Sequence, residues 1–281
     1  MTIVESAGLT DVGNKRKNNE DSFLMDNDLL LYIVADGMGG HQAGEVASHL
    51  VVTTLRDYMK DPSGKEDIEQ LIAFDDSLTD ASNKLLAAIQ LANRAVHDIS
   101  KSKKEFQGMG STVAVVYIKN QTLIAANVGD SPIYLVHQNE IELISVPHTV
   151  MAEHAALDPE GKRTLGAAFK HMLTRGMGIE SCVKADISEF QLFDDDVLII
   201  CSDGLSDKVT PDEIRSTVRT HQPEKACRVL KDLAIDRGGE DNITVVIVKI
   251  KNVETHRQGA VQFFLKIQKA LKKTFFTSNQ I

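Results

Sequence analysis

The chain has 281 residues, 42% of them hydrophobic, with 31 Lys+Arg against 40 Asp+Glu and a formal net charge of −9. That size suits one large domain or two small ones with a real core, and the acidic balance disfavours nucleic acid as the main partner while fitting a cation binder. Cys182, Cys201 and Cys227 form no CxxC pair, and the opening MTIVESAGLTDVGNKRK has no apolar signal core, so the expectation is a cytoplasmic protein without a disulfide framework, zinc knuckle or membrane span.

In chain order, the polar run from Asp11 to Asp21 reads as a hairpin before the first long strand. Leu29 to Ala35 form an apolar run ending in Asp36-Gly37, a buried strand stopped by a turn. Helical spacing follows from about Gly44 to Met59 and again from about Ile68 to Ile99, with a polar break at DPSGKED, which predicts two long antiparallel helices. STVAVVYI, TLIAANV, PIYLV and IELIS are short β-rich runs separated by KNQ, GDS and HQNE, the chemistry of hairpin turns, and predict an antiparallel meander.

The stretch from Pro147 to about Ile179 mixes short helical pieces with Gly161, Gly166, Gly176 and Gly178, and reads as an insertion lying over the sheet. VLIICSDG is another buried strand with a DG stop. Thr210-Pro211-Asp212-Glu213 is a capping box with proline at the first helical position. Pro223 to Ile235 is an amphipathic helix ended by Gly238-Gly239, and NITVVIVKI is a last apolar strand. Two sheets flanked by helices are the simplest architecture that buries all these faces.

Four carboxylates share one address. Asp36, Asp130 and Asp203 each follow an apolar strand, Asp241 directly precedes one, and each stands beside glycine or one residue from it. DG and GD are also ordinary turns; four of them at strand ends predict a cluster at one rim of the sheets. Crowded carboxylates raise one another's pKa and need cations between them to stay ionised. Oxygen-only ligands select Mg²⁺, Mn²⁺ or Ca²⁺ over zinc. Near the N-terminus, Arg16 has the bidentate fork that suits phosphate, and Glu20 or Asp21 can add a carboxylate.

In order, D-V-G-N-K-R-K-N-N-E-D, V-A-D-G-M-G-G, G-M-G-S-T, N-V-G-D-S, L-T-R-G-M-G, C-S-D-G-L-S-D and G-G-E-D-N-I-T-V-V make the chain, up to about residue 250, resemble the PP2C (PPM) family of metal-dependent protein phosphatases, and its compact bacterial members most. The resemblance implies a four-layer αββα sandwich with a binuclear Mn²⁺ or Mg²⁺ centre at one end, acting on phosphoserine and phosphothreonine of phosphorylated proteins opposite a cognate kinase. It implies Asp36 as bridging ligand with the Gly37 carbonyl, and Asp203 and Asp241 completing the first metal. Glu20 and Asp21 contact the second, partly through water, Asp130 with Asp203 holds a third, weaker ion, and Arg16 binds phosphate. Two cations about 3.5 to 4 Å apart would acidify a bridging water for in-line attack on phosphorus.

Three positions depart from the family pattern. Met38 stands where many eukaryotic members have a histidine, Pro132 where arginine usually follows G-D-S, and Ser145-Val146-Pro147-His148 lacks an aspartate that often precedes the histidine. Cys201 reads as a small core residue, His148 and His171 as solvated or capping residues of the insertion, and His41 as no nearer than a neighbour of the ligands. Asp207 either caps the following helix or orders metal waters.

A non-catalytic phosphoprotein-binding domain on the same fold is the alternative, and its mark would be a lost ligand. The expected layout is a phosphatase domain over residues 1–252, with the insertion at about 147–180, in a monomer. The tail over 253–281 has Val261, Phe264, Ile267, Leu271 and Phe275 on one helical side and Lys266, Lys269 and Lys273 on another, a basic amphipathic pattern. Such a helix either docks on the protein's own core or carries it to an anionic membrane surface or an acidic partner.

Overall fold

The long apolar runs pair into two antiparallel sheets. The first, in the order β1-β11-β10-β7-β8, uses β1 (Ile3–Asp11), β11 (Ile243–Asn252), β10 (Val197–Cys201), β7 (Ile133–His137) and β8 (Glu140–Leu143). The second, in the order β2-β3-β5-β6-β9, uses β2 (Asp21–Asp26), β3 (Leu31–Met38), β5 (Val113–Lys119), β6 (Thr122–Val128) and β9 (Asp186–Gln191), with the short β4 (Gly110–Ser111) paired to the end of β3. The structure is a computed structural model and describes residues 2–39, 43–61, 72, 74–158, 166 and 169–253.

Successive strand residues point to opposite faces, so strands buried on both faces read as continuous apolar runs. Tyr32, Val34, Ala114 and Val116 of one sheet meet Leu198, Ile200, Val246 and Val248 of the other in the central layer. On the outer face of the second sheet, Leu31, Ile33 and Val115 lie beneath α1 (Ala43–Lys60) and α2 (Asp80–Ser102). Opposite, Val197, Ile199, Val245 and Ile247 pack under α5 (Pro211–Thr220) and α6 (Pro223–Asp236). The architecture is the expected four-layer αββα sandwich. None of the described helices is long and apolar enough to cross a membrane.

Local chemistry accounts for the boundaries. The Thr210 and Glu213 capping box forms, with Pro211 in the first turn of α5, and α6 stops at Gly238 and Gly239, both at positive φ. The second long helix runs from Asp80; residues 74–79 of the expected span are not helical, and 68–71 and 73 lie outside the described residues. Thr79 caps it, and the Asn83 amide donates to the carbonyls of Asp75 and Thr79, holding the preceding residues in a turn.

The meander divides between sheets: β5 and β6 lie in one, β7 and β8 in the other. The chain changes sheets at Gly129 to Pro132, and Gly129 has φ +99°. The insertion contains α3 (Val150–Leu157). Strands β1 and β9 were not anticipated; DISEFQ is a half-buried edge segment without an apolar run. His41, residues 62–67 of the polar break and the tail from 254 onward lie outside the described residues.

Candidate metal centre

β3 does not stop before Asp36. Gly37 and Met38 continue it by pairing with Ser111 and Gly110, so Asp36 is held inside a ladder and not on a free turn. Its N–H donates to Thr112 Oγ1 (3.0 Å), and its carbonyl accepts from the Thr112 N–H (2.8 Å) and the Ser111 hydroxyl (2.9 Å). Gly37 and Gly204 permit the close approach of the strand ends. A Cβ at Gly37 would lie 2.1 Å from the Gly44 carbonyl oxygen, and one at Gly204 2.0 Å from that of Asn242.

Asp203 opens the short helix α4 (Asp203–Ser206) directly after β10. Asp241 stands just before β11, next to Asn242, whose carboxamide oxygen accepts the Glu20 N–H (2.8 Å) while its NH₂ donates to the carbonyls of Val12 and Asn18 (both 3.0 Å). One buried amide therefore fastens the Arg16 to Glu20 loop to the start of β11.

These elements enclose a cleft of about 680 Å³ whose lining includes Arg16, Glu20, Asp36, Asp130, Asp203 and Asp241. Asp21 lies beneath it, 7% exposed. Its Oδ2 accepts the hydroxyls of Ser202 (2.8 Å) and Thr244 (2.6 Å), whereas Oδ1 is buried without a partner. Asp203 Oδ1 is a second buried oxygen with none.

The electrostatics run one way. Burial first, then the charges of Asp21, Asp203, Asp241 and Asp130, push Asp36 well above the usual carboxylate range. Asp21 rises to about 6 through burial, against its two hydroxyl hydrogen bonds, and Asp130 to about 6 through burial and the Asp203 charge. Burial and Asp241 raise Asp203, and burial raises Glu20 against the nearby Arg16. A group of oxygen donors that resists ionisation, with two buried atoms unsatisfied, fits hard divalent cations. The half-exposed Arg16 brings a counter-charge, with Nη2 2.8 Å from Asp241 Oδ2 and Nη1 4.0 Å from Glu20 Oε2, and Arg175 and Lys208 also line the cleft.

The cluster therefore unites every predicted ligand, with Asp21 lying behind the others. Other expectations change. His148 is buried, 1% exposed, and not solvated. Its Nδ1 accepts the Gly129 N–H (3.0 Å), so Nε2 carries the proton and donates to Asp186 Oδ2 (2.6 Å). Arg175 Nη1 reaches the same oxygen (2.6 Å). Burial holds the His148 pKa below its ordinary value, so the imidazole is neutral and Arg175 supplies the positive charge at Asp186.

His171 is about half exposed and sits between Asp203 and Asp207. Asp207 does not cap α5, since Thr210 does; it accepts Lys170 Nζ (2.9 Å). Cys201 is the core residue expected. Met38 lines the cleft. Thr112, Asn242, Arg175 and Asp186 were not singled out from sequence. Arg175 stands inside the quoted LTRGMG motif, but nothing in the sequence pairs it with Asp186.

Known proteins resemble the chain over most of its length. A family profile described as protein phosphatase 2C matches residues 14–234. The serine/threonine phosphatase Stp of Listeria welshimeri is 32% identical over 246 residues, covering 85% of this chain and 93% of the relative. The protein phosphatase PhpP of Streptococcus pneumoniae is 30% identical over 258 residues, covering 88% and 98%. The serine/threonine phosphatase PstP of Mycobacterium tuberculosis superposes with a TM-score of 0.75 at 29% identity, covering 90% of this chain and 100% of that one. A second PstP structure, with the same score and coverage, is of its catalytic domain in complex with 2 manganese ions.

Proposed function

Because the chain belongs to the protein phosphatase 2C family and is a serine/threonine phosphatase, we propose that its rim carboxylates hold the divalent cations of the reaction. Asp36 with the Gly37 carbonyl, Glu20, Asp203 and Asp241 are the direct ligands of a Mn²⁺ or Mg²⁺ pair. Asp21 acts from beneath, and Asp130 serves a further ion with Asp203. The substrates are phosphoserine and phosphothreonine side chains of proteins phosphorylated by a Ser/Thr kinase. The observation that carries this reading is the pair of buried, unpartnered carboxylate oxygens on Asp21 and Asp203 within a cluster of like charges, since native proteins leave few such atoms unsatisfied.

Bound there, a cation pair supplies an acidified water as nucleophile and positive charge against the phosphoryl oxygens. The chain's own groups do the rest. Arg16, paired here with Asp241 Oδ2, would offer its fork to two phosphoryl oxygens in parallel hydrogen bonds that strengthen as charge develops. Thr112 and Ser111 fix Asp36, and Asn242 fixes the loop that carries Arg16 and Glu20, so both partners of the phosphate are placed before it arrives. Met38 has no titratable proton and cannot serve as general acid, so that role would fall to a water held by the cations or be dispensed with.

Hydrolysis of p-nitrophenyl phosphate and of a phosphothreonine peptide, with Mn²⁺, Mg²⁺, Ca²⁺ or EDTA, tests the proposal. Activity is expected with Mn²⁺ or Mg²⁺, to vanish in EDTA, and to be lost in Asp203→Asn. Near-normal turnover by Asp203→Asn at saturating Mn²⁺ would remove that residue from the ligand set.

A further inference from the structure

At the outer edge of the cleft the donor set changes character, because it gains a nitrogen. Ligating atoms of Asp130, His171 and Asp203 all lie within 4.8 Å of one another. His171 comes from the insertion and not from the strand rim. Its Nε2 is 3.2 Å from Asp207 Oδ2, and its Nδ1 3.4 Å from Asp203 Oδ2. Asp207 is itself held by Lys170 Nζ at 2.9 Å. A neutral imidazole has one N–H, so it can donate to only one of these carboxylates. When Nε2–H is the one accepted by Asp207, the Nδ1 lone pair is turned toward Asp203 and Asp130, where a cation can lie between them. A carboxylate orienting a histidine whose other nitrogen meets a metal is a recurrent construction.

Backbone hydrogen bonds place His171 relative to Asp130. The Val150 N–H donates to the Met172 carbonyl (2.9 Å), and the Thr174 N–H to that of His148 (2.9 Å). The His148 N–H donates to the Gly129 carbonyl (3.0 Å), and the Gly129 N–H returns to His148 Nδ1 (3.0 Å). The residues flanking His171 and the one before Asp130 thus belong to one hydrogen-bonded frame, and the short contraction needed to bring three donors onto an ion does not require refolding.

We propose that His171 is a metal ligand which, with Asp130 and Asp203, forms a site favouring Mn²⁺ or a later first-row ion over Mg²⁺ and fastens the segment 169–173 over the cleft. The inference rests on the metal-centre reading and deepens it. The resemblance implies an ion at Asp130 and Asp203; what this chain adds is an imidazole, which Mg²⁺ accepts poorly and transition ions accept well. It also makes the insertion part of the ligand shell, so that occupancy of the outer site and the position of residues 169–173 are one equilibrium.

Isothermal titration of the full chain with Mn²⁺ and, separately, with Mg²⁺ tests this on the unmodified protein, His171→Ala and His171→Asn. The expected result is a further, weaker Mn²⁺ site in the unmodified protein whose affinity falls at least about tenfold in His171→Ala. Its Mg²⁺ titration should change little, and His171→Asn should retain weak binding with a smaller preference for Mn²⁺ over Mg²⁺. Equal Mn²⁺ stoichiometry and affinity in all three proteins would leave the metal centre intact and overturn His171 as a ligand. Failure of every protein, the unmodified one included, to take up Mn²⁺ would instead overturn the metal-centre reading, and this site with it.

Discussion

Two polar clusters sit at the same end of the sandwich and solve opposite problems. Around His148, burial is matched group for group. Gly129 donates to one ring nitrogen, Asp186 accepts from the other, and Arg175 neutralises Asp186, whose pKa stays below the usual range despite partial burial, through its hydrogen bonds to His148 and Arg175. Around Asp36, burial is unmatched: the neighbours are carboxylates, two oxygens lack partners, and Arg16 pairs with Asp241 from a half-exposed position. The first cluster is satisfied within the polypeptide; on the proposed reading, the second is completed by a cation. Perturbing the two should therefore move different observables.

The largest effect is expected at the incomplete cluster. Asp36→Asn should lower kcat/KM by about 10³-fold or more, the scale of losing a principal electrostatic stabiliser, in steady-state assays at saturating Mn²⁺. A rate within tenfold of the unmodified enzyme would mean that the two clusters do not differ in kind. Arg16→Ala comes next, with a loss of about 10²-fold shared between kcat and KM. Arg16→Lys should recover only part of it, because an ammonium cannot reproduce the fork. Full recovery by lysine would show that only charge matters there.

The complete cluster should respond in stability. Asp186→Asn strips the charge from a half-exposed group and should cost about 1–3 kcal/mol, visible as a fall in Tm of a few degrees, with the Mn²⁺ dependence of activity retained. The smallest effect is a pH slope. Because burial holds the folded pKa of His148 below its ordinary value, the unfolded chain binds a proton that the folded chain refuses between that lowered pKa and about 6.5. The stability from keeping His148 neutral is present in full above pH of about 6.5 and is lost as pH falls below it. Denaturant melts of the unmodified protein and His148→Gln from pH 7.5 to 5 should show the steeper loss in the former; parallel curves would place the proton elsewhere.

The difference between the clusters also explains what could be read in the sequence. Asp36, Asp130, Asp203 and Asp241 are legible because each lies near one end of an apolar run, beside glycine or one residue from it, so strand periodicity locates them without tertiary information, although the turn expected at Asp36 is a continuing strand. The helix over α5 is legible for a similar reason, since its capping box lies within four residues. The partnership of His148, Asp186 and Arg175 is not legible. Its members lie on an unpatterned insertion and an edge strand, and contact between residues tens of positions apart leaves no local signature. His171 reads as a solvated or capping residue on the same ground: one polar residue of an irregular segment signals no more until the fold brings it beside Asp203. The division of the meander between two sheets likewise depends on which face each strand must bury, a global condition that hairpin-turn residues do not encode.

On the proposed reading, a divalent cation completes the unfinished site of the rim carboxylates. Thermal denaturation of the unmodified protein and of Asp36→Asn, each in EDTA and in excess Mn²⁺, tests it most directly. At a hundredfold excess over Kd, binding to the folded state alone adds about 2.7 kcal/mol, so Mn²⁺ should raise the Tm of the unmodified protein by several degrees. Asp36→Asn should be at least as stable in EDTA, since it removes a carboxylate from among like charges, and should lose most of the Mn²⁺-induced rise. An Asp36→Asn protein that is less stable in EDTA and gains as much from Mn²⁺ as the unmodified protein would contradict the claim.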